Sequence, residues 1–464
     1  MSNTRRSHLP HLRPTAAVAL GFLAVILSGA TVLASPWGTA AGRSTPLVDA
    51  LFTATSAVSL TGLVTVDTAS HWSTLGQVTI LLLIQIGGLG FMTLASLLGL
   101  LLAGRLGLRR RLGATAEGRG IDLGDVVWVI RATIAFSLIV EATIACVLAV
   151  RFHTAYEYSW GRAAWEGTFH SVSGFNNAGF ALYSDNVMGF ALDAWILLPL
   201  AFALIIGGIG FPVLLEAVRR TRAVIGGGAV RRWSLTARFT FVGTVVLGLA
   251  GTALVGLGEW DGALAQAGGG TGSGDGPGAG VRLLNAFFAG VSPRTAGFNA
   301  LDYADFHPST LLGTDLLMFI GGGSGGTAGG VKITTAAVLV AAVVAETRGD
   351  NSVAVHGRAI SGDVVRQALV ILTGSVTLVF GSTMAILFLA PTFTTDQVAF
   401  EVISAFATVG LSTGITPDLP VAAKLLLAVL MFAGRVGPLA LATALAARTR
   451  GRCFDYPEER PFIG

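Results

Sequence analysis

The chain has 464 residues, of which 53% are hydrophobic and only 12% are charged, about half the charged share that soluble domains usually carry. Uncharged runs such as Val78–Gly104 and Gln367–Thr395 exceed the roughly 20 residues that a helix needs to cross a bilayer. The two cysteines exclude a disulfide framework and a cysteine-rich metal site. These features exclude a soluble enzyme and predict an all-α protein that crosses the membrane several times.

The apolar segments predict about eight membrane crossings, at residues 14–36, 76–103, 126–150, 194–217, 238–258, 314–345, 366–390 and 422–447. The sixth is so rich in glycine that we expect it to be broken near its middle. Of the 30 lysines and arginines, 22 lie in the two termini and in alternate loops, and six lie on the opposite side. Because cytoplasmic segments carry the excess of positive charge, the sequence predicts a multi-pass protein of the cell membrane with both termini in the cytoplasm.

Four short polar segments, each with a glycine turn, recur between these crossings. Their glycines are spaced by 117, 118 and 117 residues and are Gly62, Gly179, Gly297 and Gly414. A phenylalanine stands ten residues before the first three, Ser404 stands at that place in the fourth, and an aspartate follows each turn. Such self-similarity at a fixed period indicates a repeat architecture. We predict four pseudo-symmetric pore repeats of helix, pore half-helix and helix around a central ion pore, at residues 1–110, 111–225, 226–350 and 351–464.

The glycine turns have the properties expected of a cation filter. Irregular backbone inside a bilayer is tolerated only where it is buried in protein or lines a water-filled cavity. Rings of backbone carbonyl oxygens there can replace the hydration shell of an ion, and the C-terminal ends of half-helices favour a cation. The predicted filter consists of Leu60, Thr61, Gly62, Asn177, Ala178, Gly179, Thr295, Ala296, Gly297, Ser412, Thr413 and Gly414. The alternative is that such glycines only allow close helix packing, which is the simpler interpretation of the Ile-Gly-Gly clusters after the turns.

The four turns, together with Met318–Ile333 of the sixth crossing and Met431–Leu439 of the last, resemble the Ktr/Trk/HKT superfamily of potassium transporters, and most of all its KtrB branch. The resemblance covers nearly the whole chain. It implies a homodimer with one pore per subunit and a ring of separately encoded, cytoplasmic, nucleotide-binding regulatory subunits. Some sodium-permeable plant members of the superfamily have serine at the position of Gly62, so four glycines favour potassium. Potassium is then the transported ion, no cofactor is expected in this chain, and a sodium dependence stays open.

The stretch Gly321–Gly330 holds seven glycines in ten residues inside a predicted crossing. A continuous helix would lose up to ~1 kcal/mol per glycine relative to alanine, so we expect a loop within the membrane. The resemblance implies that this loop is the gate and that Arg435 in the final helix is part of it, whereas Lys332 either gates or only caps loop carbonyls. The predicted gate consists of Gly321, Gly322, Gly323, Ser324, Gly325, Gly326, Thr327, Ala328, Gly329, Gly330, Lys332 and Arg435.

Two other functions stay open from the sequence. The same fold can carry sodium or a mixture of cations, and a proton-coupled transporter would use a buried acid such as Glu141, for which a helix–helix hydrogen bond is the simpler role. No cluster of nucleophile, base or metal ligands supports an enzyme, and Gly325–Lys332 departs from the phosphate-binding loop consensus. The arginine-rich loops suit the orientation rule, anionic membrane lipids or a cytoplasmic partner, and they carry no motif for nucleic acid.

Overall fold

The computed structural model of the protein describes residues 14–111, 123–227, 232–268 and 276–447. Both ends of the chain and part of the glycine-rich insert near 266–280 lie outside these ranges. Within them the chain forms fourteen α-helices: α1 (Pro14–Ala34), α2 (Leu47–Ser59), α3 (Thr74–Arg111), α4 (Leu123–Tyr156), α5 (Trp160–Phe175), α6 (Ala194–Ile209), α7 (Phe211–Ile225), α8 (Leu235–Gly258), α9 (Ala279–Val291), α10 (Pro308–Phe319), α11 (Ile333–Arg348), α12 (Gly362–Leu389), α13 (Thr395–Ala407) and α14 (Val421–Ala447). Two short strands, β1 (Ala354–Val355) and β2 (Arg358–Ala359), form an antiparallel hairpin.

Four short helices, α2, α5, α9 and α13, occupy corresponding places in the chain, and each packs against the helix that precedes it. In each repeat, the helix that follows the short helix packs on the short helix of the next repeat: α3 packs on α5, α6 on α9 and α10 on α13. In the same way, α14 of the fourth repeat packs on α2 of the first. The four short helices, called pore helices below, are therefore held in a closed ring, which confirms the predicted all-α fold.

Four segments of the described chain are long and apolar enough to cross a membrane, namely Thr74–Thr93, Ile130–Tyr156, Leu235–Gly258 and Gly362–Leu389. They correspond to the second, third, fifth and seventh predicted crossings. The sixth predicted crossing is divided into α10 and α11 by residues 320–332, as its glycine content led us to expect.

The fourth predicted crossing, residues 194–217, is not a straight helix. Its two parts, α6 and α7, are bent by 98° relative to one another, and the residue between them, Gly210, has φ +93°. A Cβ at this glycine would lie 2.6 Å from the backbone nitrogen of Gly326. The bend therefore makes room for the segment that divides the sixth crossing. The apolar pattern of residues 194–217 does not predict this contact.

Candidate ion-conduction pathway

Each pore helix is followed by the same backbone conformation. Leu60, Asn177, Thr295 and Thr408 all have positive φ, between 51° and 72°. Two residues later comes a glycine that also has positive φ, and these glycines are Gly62, Gly179, Gly297 and Gly410. Left-handed backbone costs other residue types energy but is freely available to glycine. The repeated pattern is therefore a left-handed residue, one further residue and a glycine.

These four glycines approach one another closely, and we call them the glycine ring. A Cβ built on Gly62 would lie 2.5 Å from the carbonyl oxygen of Ala178, and one on Gly179 would lie 2.9 Å from the Cα of Gly297. A Cβ on Gly297 would collide with the carbonyl oxygen of Val409, and one on Gly410 with that of Thr61. Each repeat thus meets the next, and the fourth meets the first.

The fourth member of the glycine ring is Gly410, and the prediction of Gly414 is corrected. Nothing lies within 4 Å of a Cβ built on Gly414, and Ser412 and Thr413 follow the ring instead of forming it. The sequence contains a feature that identifies Gly410 as the equivalent glycine. Phe400 stands ten residues before Gly410, as the phenylalanines of the other repeats stand before their glycines. The prediction relied on an even spacing of 117 residues and so missed a fourth repeat in which the spacing is four residues shorter.

The backbone amides of the glycine turns donate hydrogen bonds to serines in the last turns of the pore helices. The amides of Thr61, Ala178 and Val409 each donate to the backbone carbonyl of a serine five residues earlier, at 2.8 Å. The amides of Gly62 and Gly410 donate to serine hydroxyls at 3.0 Å. These bonds occupy the donors, and we find no hydrogen bond in the described residues to the carbonyl oxygens of Thr61, Ala178, Ala296 and Val409.

A cavity of about 320 Å³, called the outer cavity below, lies beside the glycine ring, next to the residues that follow each turn. Its wall includes Gly62, Gly179 and Gly410, the residues Ser412 and Gly414, and three of the four aspartates that the sequence placed after the turns, Asp67, Asp185 and Asp302. Cations are favoured in a cavity with several acidic side chains in its wall.

Asp67 joins two repeats at this cavity. Its carboxylate accepts hydrogen bonds from Ser70 Oγ and from Ser184 Oγ, both at 2.6 Å, and from the backbone nitrogen of Ala69 at 3.0 Å. Partial burial by itself would raise the pKa of Asp67, but these hydrogen bonds together hold the pKa below its ordinary value of 3.8. The side chain is therefore ionised at neutral pH.

Residues 320–332, called the dividing loop below, lie against the glycine ring at the ends of the pore helices. A Cβ on Gly321 would lie 3.4 Å from Cγ2 of Thr295, and one on Gly329 would lie 2.7 Å from the carbonyl oxygen of Ala407. The amides of Gly323 and Thr327 donate to carbonyl oxygens at the end of α6, at 2.8 and 3.1 Å. The loop is thus anchored to the end of α6 and packed against two of the pore-helix ends.

The two basic residues predicted within crossings both bind carbonyl oxygens of this loop. Arg435 is 2% exposed, and its Nη1 donates to the carbonyl oxygen of Thr327. Lys332 Nζ donates to the carbonyl oxygens of Ala328 and Gly329. The Arg435 guanidinium also lies 4.2 Å from the ring centroid of Phe91, and Lys332 Nζ lies 5.5 Å from it. The predicted gate residues are therefore in one assembly, with Phe91 as a member that the sequence did not single out.

Glu141 lies behind the second turn in a set of neutral donors. It accepts hydrogen bonds from Gln85 Nε2 at 3.0 Å, from Ser137 Oγ at 2.7 Å and from Asn176 Nδ2 at 3.1 Å. Gln85 belongs to α3 and Asn176 directly follows α5, so the carboxylate links three elements. This is the helix–helix hydrogen bonding that the sequence offered as the simpler role.

Comparisons with known proteins agree with this arrangement. The family model described as "TrkH: Cation transport protein" matches residues 15–455. The chain is 36% identical to the "Ktr system potassium uptake protein B" of Bacillus subtilis, over 97% of each chain. It is 34% identical to the "Potassium/sodium uptake protein NtpJ" of Enterococcus hirae, over 98% of each chain.

Among solved structures, the potassium transporter TrkH from Vibrio parahaemolyticus has the same fold. The TM-score is 0.68 at 19% identity, over 95% of this chain and 86% of the other. The family match covers nearly the whole chain and accounts for its apolar helices, which make it a multi-pass membrane protein. The chain is a member of the TrkH family of cation transport proteins.

Proposed function

We propose that this protein takes up potassium ions through a pore in the cell membrane. The observation that carries the proposal is the glycine ring, in which four segments converge at the ends of four pore helices with carbonyl oxygens that accept no hydrogen bond from the described residues. Two relatives that align over almost the whole chain are named as potassium or potassium/sodium uptake proteins, which supports the same cargo here. In this proposal the ion moves passively along its electrochemical gradient, past backbone oxygens that replace its water.

The filter in this proposal is formed by the four ring glycines and the residues that precede them. The carbonyl oxygens of Thr61, Ala178, Ala296 and Val409 replace water around the ion, and the C-terminal ends of the pore helices add a favourable potential. The fourth segment is Thr408–Gly410, in place of the predicted Ser412–Gly414. We keep the four pore repeats with boundaries near residues 110, 225 and 350.

The gate in this proposal is the dividing loop with Lys332 and Arg435. The loop lies directly below the glycine ring, and two positive charges beside it oppose the passage of a cation. Opening requires that the loop carbonyls leave these two side chains. The packing of Gly326 against Gly210 supports a coupled movement of the loop and the bend between α6 and α7.

The partners in this proposal are inferred from the names of relatives and from the charge pattern of this chain. Relatives named as parts of a "Ktr system" support an assembly with separate subunits, which we take to be a homodimer on a cytoplasmic nucleotide-binding ring. The basic segments then lie on the cytoplasmic side with both termini, where they contact anionic lipids and the nucleotide-binding subunits.

The proposal is tested by tracer flux into liposomes that contain only this chain, with the membrane potential clamped. We expect saturable entry of potassium well above that of sodium, and loss of this entry when Gly297 is replaced by alanine. If the wild-type protein is silent, a variant with residues 321–330 shortened should conduct, because the loop no longer closes the pore. Silence of this variant as well would overturn the proposed function.

A mixed sodium and potassium pathway is the second candidate, and the name of the Enterococcus hirae relative favours it. Gly62→Ser distinguishes the two candidates. A Cβ at this position would lie 2.5 Å from the carbonyl oxygen of Ala178, so serine must displace a filter oxygen. We expect a potassium-selective wild type and a variant with increased sodium entry, whereas equal entry of the two ions into wild-type liposomes would establish the mixed pathway.

A further inference from the structure

The position nine residues before each ring glycine holds a different type of side chain in each repeat. With Gly410 as the fourth ring glycine, these residues are Thr53, His170, Phe288 and Glu401. Each lies in a pore helix and is at most 1% exposed. The position is therefore buried in all four repeats, while its chemistry changes from a hydroxyl to an imidazole, a phenyl and a carboxylate.

Glu401 binds the segment that follows the ring glycine of its own repeat. Its Oε1 accepts hydrogen bonds from the backbone nitrogen of Thr413 at 3.0 Å and from Ser412 Oγ at 2.5 Å. Its Oε2 accepts one from Thr416 Oγ1 at 2.6 Å. The amide of Gly414 in turn donates to Ser412 Oγ at 2.8 Å, so one buried carboxylate organises the whole stretch from 412 to 416.

His170 makes the corresponding contact in the second repeat. Its Nε2 accepts a hydrogen bond from the backbone nitrogen of Leu182 at 3.2 Å, and its Nδ1 lies 2.7 Å from the carbonyl oxygen of Glu166. An amide only donates and a carbonyl only accepts, so the ring is neutral with its proton on Nδ1. Leu182 and Thr413 each stand three residues after their ring glycine, which makes the two contacts equivalent.

The first and third repeats lack this contact. Thr53 Oγ1 has no hydrogen-bond partner among the described residues, and Phe288 has no polar side-chain atom. The repeats with the contact are the second and the fourth, which are not neighbours in the glycine ring. After the ring glycine, the segments of the second and fourth repeats are therefore hydrogen-bonded to a buried acceptor in their pore helix, whereas those of the first and third repeats are not.

We propose that Glu401 and His170 are positioning residues that fix the segments directly after the filter in two opposite repeats and so set the selectivity of the filter among monovalent cations. The inference rests on the proposed potassium uptake. The held segments form part of the wall of the outer cavity, through Ser412 and Gly414 in the fourth repeat and Phe180 and Ala181 in the second. Each held segment continues directly from a ring glycine, so its hydrogen bonds to a pore helix keep the filter oxygens just before it at constant positions. A filter discriminates between ions by the number and position of its oxygens.

The test measures the ratio of potassium to sodium permeability in liposomes. Replacement of Glu401 by leucine removes both carboxylate oxygens that hold the segment, and we expect the ratio to fall about tenfold, which corresponds to ~1.4 kcal/mol. Glu401→Gln keeps an oxygen for the Thr413 amide and should retain most of the ratio. His170→Leu should lower the ratio in the same direction as Glu401→Leu.

Thr53→Val is the matched control, because it changes the equivalent buried position of a repeat without the contact and preserves the side-chain shape. We expect it to leave the ratio unchanged. A wild-type ratio in folded Glu401→Leu, or an equal loss in Thr53→Val, would overturn the inference while wild-type potassium flux still supports the proposed function. If Glu401→Leu does not fold, the double variant Ser412→Ala with Thr416→Val removes two of the partners. An unchanged ratio in that protein would equally overturn the inference.

Discussion

The glycine ring and the dividing loop are both glycine-rich, irregular and held within the membrane, yet their backbone groups have opposite partners. At the ring, serine carbonyls and hydroxyls accept hydrogen bonds from the amides of the turns. In the loop, Arg435 and Lys332 donate hydrogen bonds to the carbonyls. The ring therefore offers oxygens to a cation, while several oxygens of the loop are already occupied. Glycine content alone does not distinguish these two segments, because the surrounding side chains decide which backbone group is free.

The largest effect is expected from Gly410→Ala. A Cβ at this position would collide with the carbonyl oxygen of Thr61, and left-handed backbone in a residue other than glycine adds roughly 1–3 kcal/mol. We expect potassium flux to fall by well over tenfold in the liposome assay. Gly414→Ala is the matched variant, since it carries a similar positive φ but meets no atom within 4 Å. Equal losses in the two variants would return the fourth filter glycine to an open question.

Arg435→Met should have the next largest effect, in the opposite direction. It removes a buried cation and its hydrogen bond to Thr327, and bonds from charged groups contribute about 1.5–3 kcal/mol. The loop should leave its closed position more often, and basal potassium flux should rise about tenfold or more. Arg348→Met, at the exposed end of α11, provides the control. Unchanged flux in Arg435→Met would mean that the loop is not held by this contact.

Glu141→Gln should affect stability more than transport. The amide nitrogen of the new side chain faces donors from Gln85 and Asn176, and a buried donor without an acceptor costs about 1–3 kcal/mol. We expect a lower melting temperature in detergent, while Glu157→Gln on the surface leaves it unchanged. A pH gradient alone should drive no potassium accumulation in the wild type. Accumulation that Glu141→Gln abolishes would instead establish proton coupling.

The smallest effect is expected at the outer cavity. Asp67→Asn removes one negative charge, and we expect a two- to threefold lower potassium flux at low ionic strength, with the difference suppressed by salt. Because the pKa of Asp67 lies below its ordinary value of 3.8, its carboxylate stabilises the fold above that pH, and this contribution is lost only as the pH falls through the lowered pKa. The flux difference between wild type and variant should therefore be the same at external pH 7 and pH 5.

The sequence predicted the first three turns of the ring correctly in position, because each has a phenylalanine ten residues before its glycine. It failed at the fourth, where Gly410 and Gly414 stand in one short segment and an even spacing favoured the wrong one. Only the contact of Gly410 with Thr61 of the first repeat separates the two glycines. The contact joins residues nearly 350 positions apart, and no local pattern encodes it.

Composition and periodicity by themselves determined the class of this protein. Apolar runs too long for a soluble core, a fourfold recurrence of glycine turns and a crossing interrupted by glycine each have a local physical cause in chain length, backbone freedom or helix propensity. The tertiary structure decided which groups are satisfied and which remain free. The bend at Gly210, the carbonyl partners of Lys332 and Arg435, and the alternating contacts of His170 and Glu401 all depend on residues distant in the chain, because hydrogen bonds and close approaches between helices exist only after the ring has closed.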